Sequence, residues 1–248
     1  MAAFASSFHN MYQEFAPVTP FAEALWSFSG NRHSESFKVQ PDSCTDLIVD
    51  LKRNACFVSG AMTAYQQRQL SAEANLLGLR FKTEHFALLT EVPLQEIRNL
   101  RTDSVDVLPF LPHHLPAQLQ ELNSLAERKT VLKKAFEPTL IKHPKAPDRL
   151  VLSVAYHIRQ RNGQVQAHQL ATAHHISLRQ LERRFKSFVG LTLKEFSTIV
   201  RFCAVKKAIQ NQPKSSLLSI AFETGYFDHA HLYNDFKRLS GEKPSAFR

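Results

Sequence analysis

The side chains best placed for chemistry in this chain are hydrogen-bond donors and acceptors crowded into two short stretches. Arg179, Gln180, Glu182 and Arg183 form one; His229, His231 and Asn234 form the other. On a helix, side chains three and four apart share a face, so each stretch presents its polar groups together. These residue types suit the edges of base pairs. Arginine donates in parallel to guanine, asparagine pairs with adenine, glutamate accepts from cytosine, and histidine serves guanine or a phosphate. Lys186, Lys194, Lys237 and Arg238 flank the two stretches. They supply charge without base-specific geometry, which fits phosphate contact.

Other chemistries find less support. The 3 cysteines, Cys44, Cys56 and Cys203, lie far apart and include no CxxC pair. That argues against both a disulfide framework and a cysteine zinc site. The 12 histidines are scattered, and their local pairs lack a carboxylate or thiolate set to complete a metal site. No metal or cofactor is expected. Asp42 and Asp46 are spaced like paired carboxylates, but Pro41 beside them fits a turn more simply. No stretch of about 18 uninterrupted apolar residues exists to span a membrane. The first residues lack a basic and apolar leader pattern. With sparse unpaired thiols, the expected compartment is the cytoplasm.

Charge separates the chain into two parts. Residues 1–147 hold 15 Lys+Arg and 15 Asp+Glu, whereas residues 148–248 hold 16 and 7, so the whole formal net charge of +9 sits in the last 101 residues. A basic module joined to a neutral one points to a polyanion as partner.

The elements that must carry these groups follow from periodicity. Residues 36–40, 46–51, 55–59, 63–69 and 76–82 read as short strands. Residues 84–90 and 94–100 read as short helices, and residues 116–136 as one longer helix with an apolar stripe through Leu119, Leu122, Leu125, Leu132 and Phe136. Residues 138–147 hold three prolines and read as a linker. Beyond it the pattern is wholly helical. Ser177 and Thr192 are placed to cap helices, and Gly190 to end one. The expected domains are therefore 1–137, α+β and barrel-like, and 148–248, all-α.

An internal repeat organises the basic half. Leu170-Ala171, a break at residues 174–176 and a helix anchored by Phe185 recur as Ile220-Ala221, a break at Gly225 and a helix anchored by Phe236. Small apolar residues, a tight turn and a second helix with a free outer face make a helix-turn-helix unit.

At these positions the sequence resembles the AraC/XylS family of transcription regulators. The resemblance rests on Ile220-Ala221, Gly225-Tyr226, Leu232-Tyr233, Phe236-Lys237, Gly241, Pro244 and Phe247-Arg248, with Ser177, Leu181, Arg183, Phe185-Lys186 and Gly190 in the first unit. It covers about residues 149–248. Ala230 and Asp235 depart from the many relatives that carry more donors there. The resemblance implies sequence-specific binding to double-stranded DNA by two recognition helices, held apart by a long helix over residues 193–210. It implies regulation rather than enzymatic activity. A DNA-repair methyltransferase with such a domain would need a cysteine-rich zinc site. A basic single-strand RNA binder would show stacking aromatics on a sheet.

The front half resembles a sensor domain found in a subset of such regulators, through residues 41–48, Ser59-Gly60 and residues 77–81. It departs at Ser43 and at Thr83-Glu84. The resemblance implies a small β-rich, barrel-like domain followed by helices; Trp26, Asp46, Arg80 and Phe81 are candidates either to line a ligand pocket in it or to stabilise the barrel. A small-molecule effector, a second copy of the chain and RNA polymerase are the further partners that follow, with no membrane among them.

Overall fold

Among the described residues, alternation along eight strands gives the N-terminal half two distinct apolar layers. The computed structural model describes residues 12–30, 35–141 and 145–248. The strands are β1 (Tyr12–Phe15), β2 (Ala22–Ser29), β3 (Glu35–Val39), β4 (Cys44–Asp50), β5 (Ala55–Ser59), β6 (Gln66–Leu70), β7 (Asn75–Lys82) and β8 (Arg101–Asp103). Six of them form an antiparallel sheet in the order β1-β2-β7-β4-β5-β8. The other two, β3 and β6, form an antiparallel ribbon. The enclosure is barrel-like, but the large sheet stays open.

Odd and even positions of the central strands divide between the layers. Leu25, Leu47, Val49, Val58, Leu77, Leu79 and Phe81 face the helices and join the main core. Trp26, Phe28 and Leu76 point the other way and pack with Phe37 and Leu70 of the ribbon. Gly78 lies under Trp26, where an added Cβ would come within 2.1 Å of the indole.

Helices α1 (Thr83–Phe86), α2 (Ser104–Val107), α3 (Leu115–Glu121) and α4 (Leu125–Ile141) cover the first layer. Phe136 of α4 meets Phe81 and Phe110, with ring centroids 5.6 Å apart in each pair. The basic half is α5 (Arg149–Gln160), α6 (Ala167–Ala173), α7 (Leu178–Val189), α8 (Leu193–Asn211), α9 (Leu217–Glu223) and α10 (His229–Ser240), closed by a 3-10 turn at Pro244–Phe247. Its core is continuous with that of the first half, because α1 packs against α5 and α7.

Several expected elements differ. Strands β1, β2 and β8 are additional. Residues 94–100 form turns instead of a helix. Asn99 has φ +62° and its Oδ1 accepts from the Thr63 amide at 2.8 Å, which takes the chain out of helical geometry. The helix expected over residues 116–136 is two helices. Leu122 is extended, and Ser124 then starts α4 by exchanging hydrogen bonds with Glu127. Pro138, expected to open a linker, lies inside α4. There the buried Thr139 hydroxyl donates to the Phe136 carbonyl at 2.7 Å. The absence of a leader was read on residues 1–11, which lie outside the described residues, as do residues 142–144 of the expected linker.

Candidate nucleic-acid interface and cavity

The two repeats of the basic half are built alike. Leu170-Ala171 and Ile220-Ala221 are buried on α6 and α9. Tight turns with positive φ follow, at His175 (+53°) and Gly225 (+78°). Ser177 then caps α7 in a reciprocal pair with Gln180, and Asp228 caps α10 by accepting from the His231 amide at 2.7 Å. Both helices end on a left-handed glycine, Gly190 and Gly241. Phe185 stacks edge-on against Phe196 of α8 at 5.3 Å, and Phe236 against Phe202 of the same helix at 4.9 Å. Helix α8 therefore fixes the spacing of α7 and α10.

The polar side chains singled out in the sequence lie on the outer faces. Arg179, Gln180, Glu182, Arg183 and Lys186 are exposed along α7, and Lys194 is exposed in the first turn of α8. Gln180 uses its carbonyl oxygen in the cap, which leaves its amide NH2 outward. His229, His231 and Asn234 are exposed on α10. The His231 ring is held edge-on to Tyr226 at 4.8 Å and lies 3.9 Å from Asp235. Lys237 is exposed and donates to the Gly241 carbonyl at 3.4 Å. Arg238 is already engaged, donating to Asp235 at 2.9 Å and to the Thr63 carbonyl at 3.2 Å. A residue not singled out in the sequence, Phe227, stands 84% exposed in the turn just ahead of α10.

The second layer of the N-terminal half encloses a cavity of about 90 Å³ between the large sheet and the ribbon. Trp26, Asp46 and Arg80 line it together. Asp46 is the register partner of Arg80 across β4 and β7, and the Trp26 indole donates to Asp46 at 2.9 Å. Arg80 lies within 3.3 Å of Asp46 and 3.5 Å of Asp42, with Glu14 at 3.8 Å. Burial pushes the Asp46 carboxyl up, against the pull of Arg80. Phe81, one residue further along β7, points into the main core and does not join them. The lining also includes Gln40, Arg68 and Arg101, which sequence reasoning missed.

Residues 40–44 form one wall of this cavity, and the same segment meets the basic half. Gln40, Asp42 and Cys44 line the cavity. The Gln40 side-chain Oε1 also accepts from Lys206 of α8 at 3.2 Å, and the Pro41 backbone carbonyl from Cys203 at 3.7 Å. Ser43, in a left-handed conformation at φ +59°, accepts from Arg159 of α5 through Oγ at 2.9 Å and its carbonyl at 3.0 Å. Arg159 holds Glu84 in a two-bond pair at 2.6 and 2.8 Å. Arg98 pairs with Glu195 at 3.1 Å, and Lys38 with Glu242. Both capping glycines abut the first half. A Cβ on Gly190 would meet the backbone at Leu94 and Gln95 (2.7 and 2.8 Å), and one on Gly241 would meet the Tyr65 ring (2.8 Å).

The thiols offer no activated nucleophile. Burial pushes Cys44, Cys56 and Cys203 up, Cys56 to about 11. No described helix is long and apolar enough to cross a membrane.

Comparison with known proteins agrees with this layout. Residues 170–248 match a family described as a helix-turn-helix domain, and residues 12–103 match a domain family of unknown function. No curated protein matches. Among solved structures, ToxT from Vibrio cholerae is 12% identical with a TM-score of 0.45, covering 96% of this chain and 97% of that one. Wild-type ToxT from strain SCE256 of the same species, with unsaturated fatty acid bound, is 11% identical with a TM-score of 0.39, covering 96% and 93%.

Proposed function

We propose that this chain, a DNA-binding transcription regulator by its AraC/XylS-type helix-turn-helix domain, reads two blocks of one operator and is controlled from its N-terminal cavity. The observation that carries the reading is the pair of equivalent units whose second helices, α7 and α10, expose Arg179, Gln180, Glu182, Arg183 and His229, His231, Asn234. The fixed spacer α8 supports simultaneous entry into successive major grooves, about 34–36 Å apart. Lys186, Lys194 and Lys237 hold phosphates. Arg238 joins them only if it leaves Asp235 and Thr63.

Control is supported by where the wall of residues 40–44 lies. A ligand that moves Asp42 or Gln40 moves the partners of Arg159 and Lys206, and with them α5 and α8. The cavity therefore has a short mechanical route to the helices that set the recognition geometry. A division into residues 1–137 and 148–248, with 138–147 between, belongs to the same reading. Its support is the change from sheet to helix and the segregation of charge. Action in the cytoplasm through RNA polymerase, by one copy or a pair, completes it.

Selecting duplexes from a random pool with the full-length protein tests the proposal. The expected outcome is two preferred blocks about ten base pairs apart. A pool that yields no enriched sequence refutes it.

A further inference from the structure

The two repeats are built alike, but each is tied differently to the rest of the basic half. Arg184 of α7 donates to Asp148, which caps the start of α5, at 3.0 and 2.8 Å. The second unit is held at the other end of the same helix. There α5 runs out through Asn162 and Gly163, left-handed at φ +50° and +75°. The Gly163 amide donates back to the Ile158 carbonyl at 2.8 Å. Its own carbonyl accepts from Arg201, half-buried on α8, at 2.9 Å. The same guanidinium donates through its other terminal nitrogen to the Gly225 carbonyl at 3.3 Å, in the turn between α9 and α10.

The approach is close on both sides. A Cβ on Gly163 would lie 2.2 Å from the Ser197 carbonyl oxygen and 3.0 Å from the Arg201 Cβ, and one on Gly225 would lie 2.8 Å from the Gln164 side chain. The Gln164 amide adds a bond to the Glu223 carbonyl at 3.3 Å. The Arg201 guanidinium also stands over the buried Tyr226 ring, 5.5 Å from its centroid, and His231 of α10 packs edge-on against that ring at 4.8 Å. Helices α5 and α9 both end beside this one cation, where their last carbonyls lack helical partners and carry partial negative charge. A planar guanidinium bonds two carbonyls from fixed positions while lying over an aromatic ring; an ammonium holds no such plane. Among the described residues, no α8 side chain makes a comparable hydrogen bond to the turn at residues 174–176.

We infer that Arg201 is a positioning residue for the second recognition helix. It pins the Gly225-Tyr226 turn to the end of α5 and so sets the placement of α10 relative to α7. Its effect on DNA passes through Tyr226 and His231 and not through a contact of its own. The inference rests on the two-block reading above.

Full-length protein is compared with Arg201→Gln, with Arg201→Lys, and with Lys207→Gln, which removes a charge from an exposed position of the same helix. Thermal unfolding establishes that each is folded, and Arg201→Lys, which keeps the charge and much of the stem, carries the test if Arg201→Gln does not fold. Hydrogen exchange of the DNA-free protein comes first. Amides of residues 224–235 should exchange about tenfold faster or more in both Arg201 variants, and those of residues 176–187 within about twofold of the parent. Lys207→Gln should match the parent throughout. The duplex that the parent selects is then lengthened or shortened by one base pair between its two blocks. The parent should lose about tenfold or more in affinity, and the Arg201 variants less than about threefold, because a loosened α10 follows the shifted block. Unchanged exchange over residues 224–235, equal acceleration of both segments, parental behaviour restored by lysine, or the parental spacing penalty in folded Arg201→Gln overturns the inference. A parent that selects one block only refutes the two-block reading, whereas faster exchange confined to residues 224–235 still upholds the hold of Arg201 on the turn.

Discussion

Replacing Arg159 with methionine tests whether the seam between the two halves is held as described. The Arg159 side chain is 18% exposed and Glu84 only 3%. The substitution removes two charge-assisted bonds to Glu84 and two bonds to Ser43. It also removes the stacking of the guanidinium over Phe196, at 4.9 Å from the ring centroid. Most of the cost comes from what remains, a buried Glu84 carboxylate without a counter-charge. Breaking a buried pair from one side costs about 3–5 kcal/mol, whereas replacing both partners with neutral groups costs much less. Arg159→Met should therefore lose about 3–5 kcal/mol in urea unfolding. Arg159→Met with Glu84→Gln should recover about 2 kcal/mol or more of that, a coupling energy of the size expected for residues in contact. The double variant, folded but without the Arg159 contacts to Glu84 and Ser43, should also bind DNA with an affinity that responds less to a cavity ligand than that of the parent protein. A loss below about 1 kcal/mol for the single variant, or additive effects of the two substitutions, would refute the reasoning.

Three further outcomes follow from the same geometry. Gly78→Ala forces the Trp26 ring off its seat, because the added Cβ would lie 2.1 Å from it. Trp26 emission should shift and stability should fall by about 1–3 kcal/mol, as read by fluorescence-detected unfolding. Phe227→Ala, at an 84% exposed position, should leave stability within about 0.5 kcal/mol yet weaken preference for a thymine in the second block, where its ring can meet the methyl group. DNA affinity of the full chain should fall about 10³–10⁵-fold between 50 and 200 mM salt if about 6–10 phosphates are held; a flat salt profile in a filter-binding titration would contradict it.

The basic half was legible because its local chemistry and its tertiary role coincide. Ser177, Thr192 and Gly190 mark helix ends in the sequence and occupy those ends in the structure. The aromatic anchors Phe185 and Phe236 recur because each unit packs on α8. The N-terminal half was read less completely. The run of β2 alternates poorly because a register shift between Ala22 and Ala24 breaks its period. Strand β8 has only three residues and depends on pairing with β5. Leu94 and Ile97 carry helical spacing, but Asn99 is committed to Thr63, thirty-six residues away. The cavity was half legible. Trp26, Asp46 and Arg80 were expected to share it and do. Phe81 follows Arg80 on a strand, and neighbours on a strand face opposite ways. Arg68 and Arg101 reach the same space from the ribbon and the short edge strand, a juxtaposition set by tertiary pairing alone. The Arg159–Glu84 contact likewise joins residues whose partnership no local pattern announces.

The most direct measurement is a base-by-base selection profile for the parent protein and for Arg179→Ala, Arg183→Ala, His231→Ala, Asn234→Ala and Lys237→Ala. Arg179→Ala or Arg183→Ala should relax one block of the operator, costing about 1–3 kcal/mol for a bidentate guanine contact. His231→Ala or Asn234→Ala should relax a second block about ten base pairs away. Lys237→Ala should weaken all sequences alike and lower the salt slope by about one phosphate contact. If the first four instead lower affinity uniformly, with the sequence preference unchanged, α7 and α10 are not the elements that read the operator.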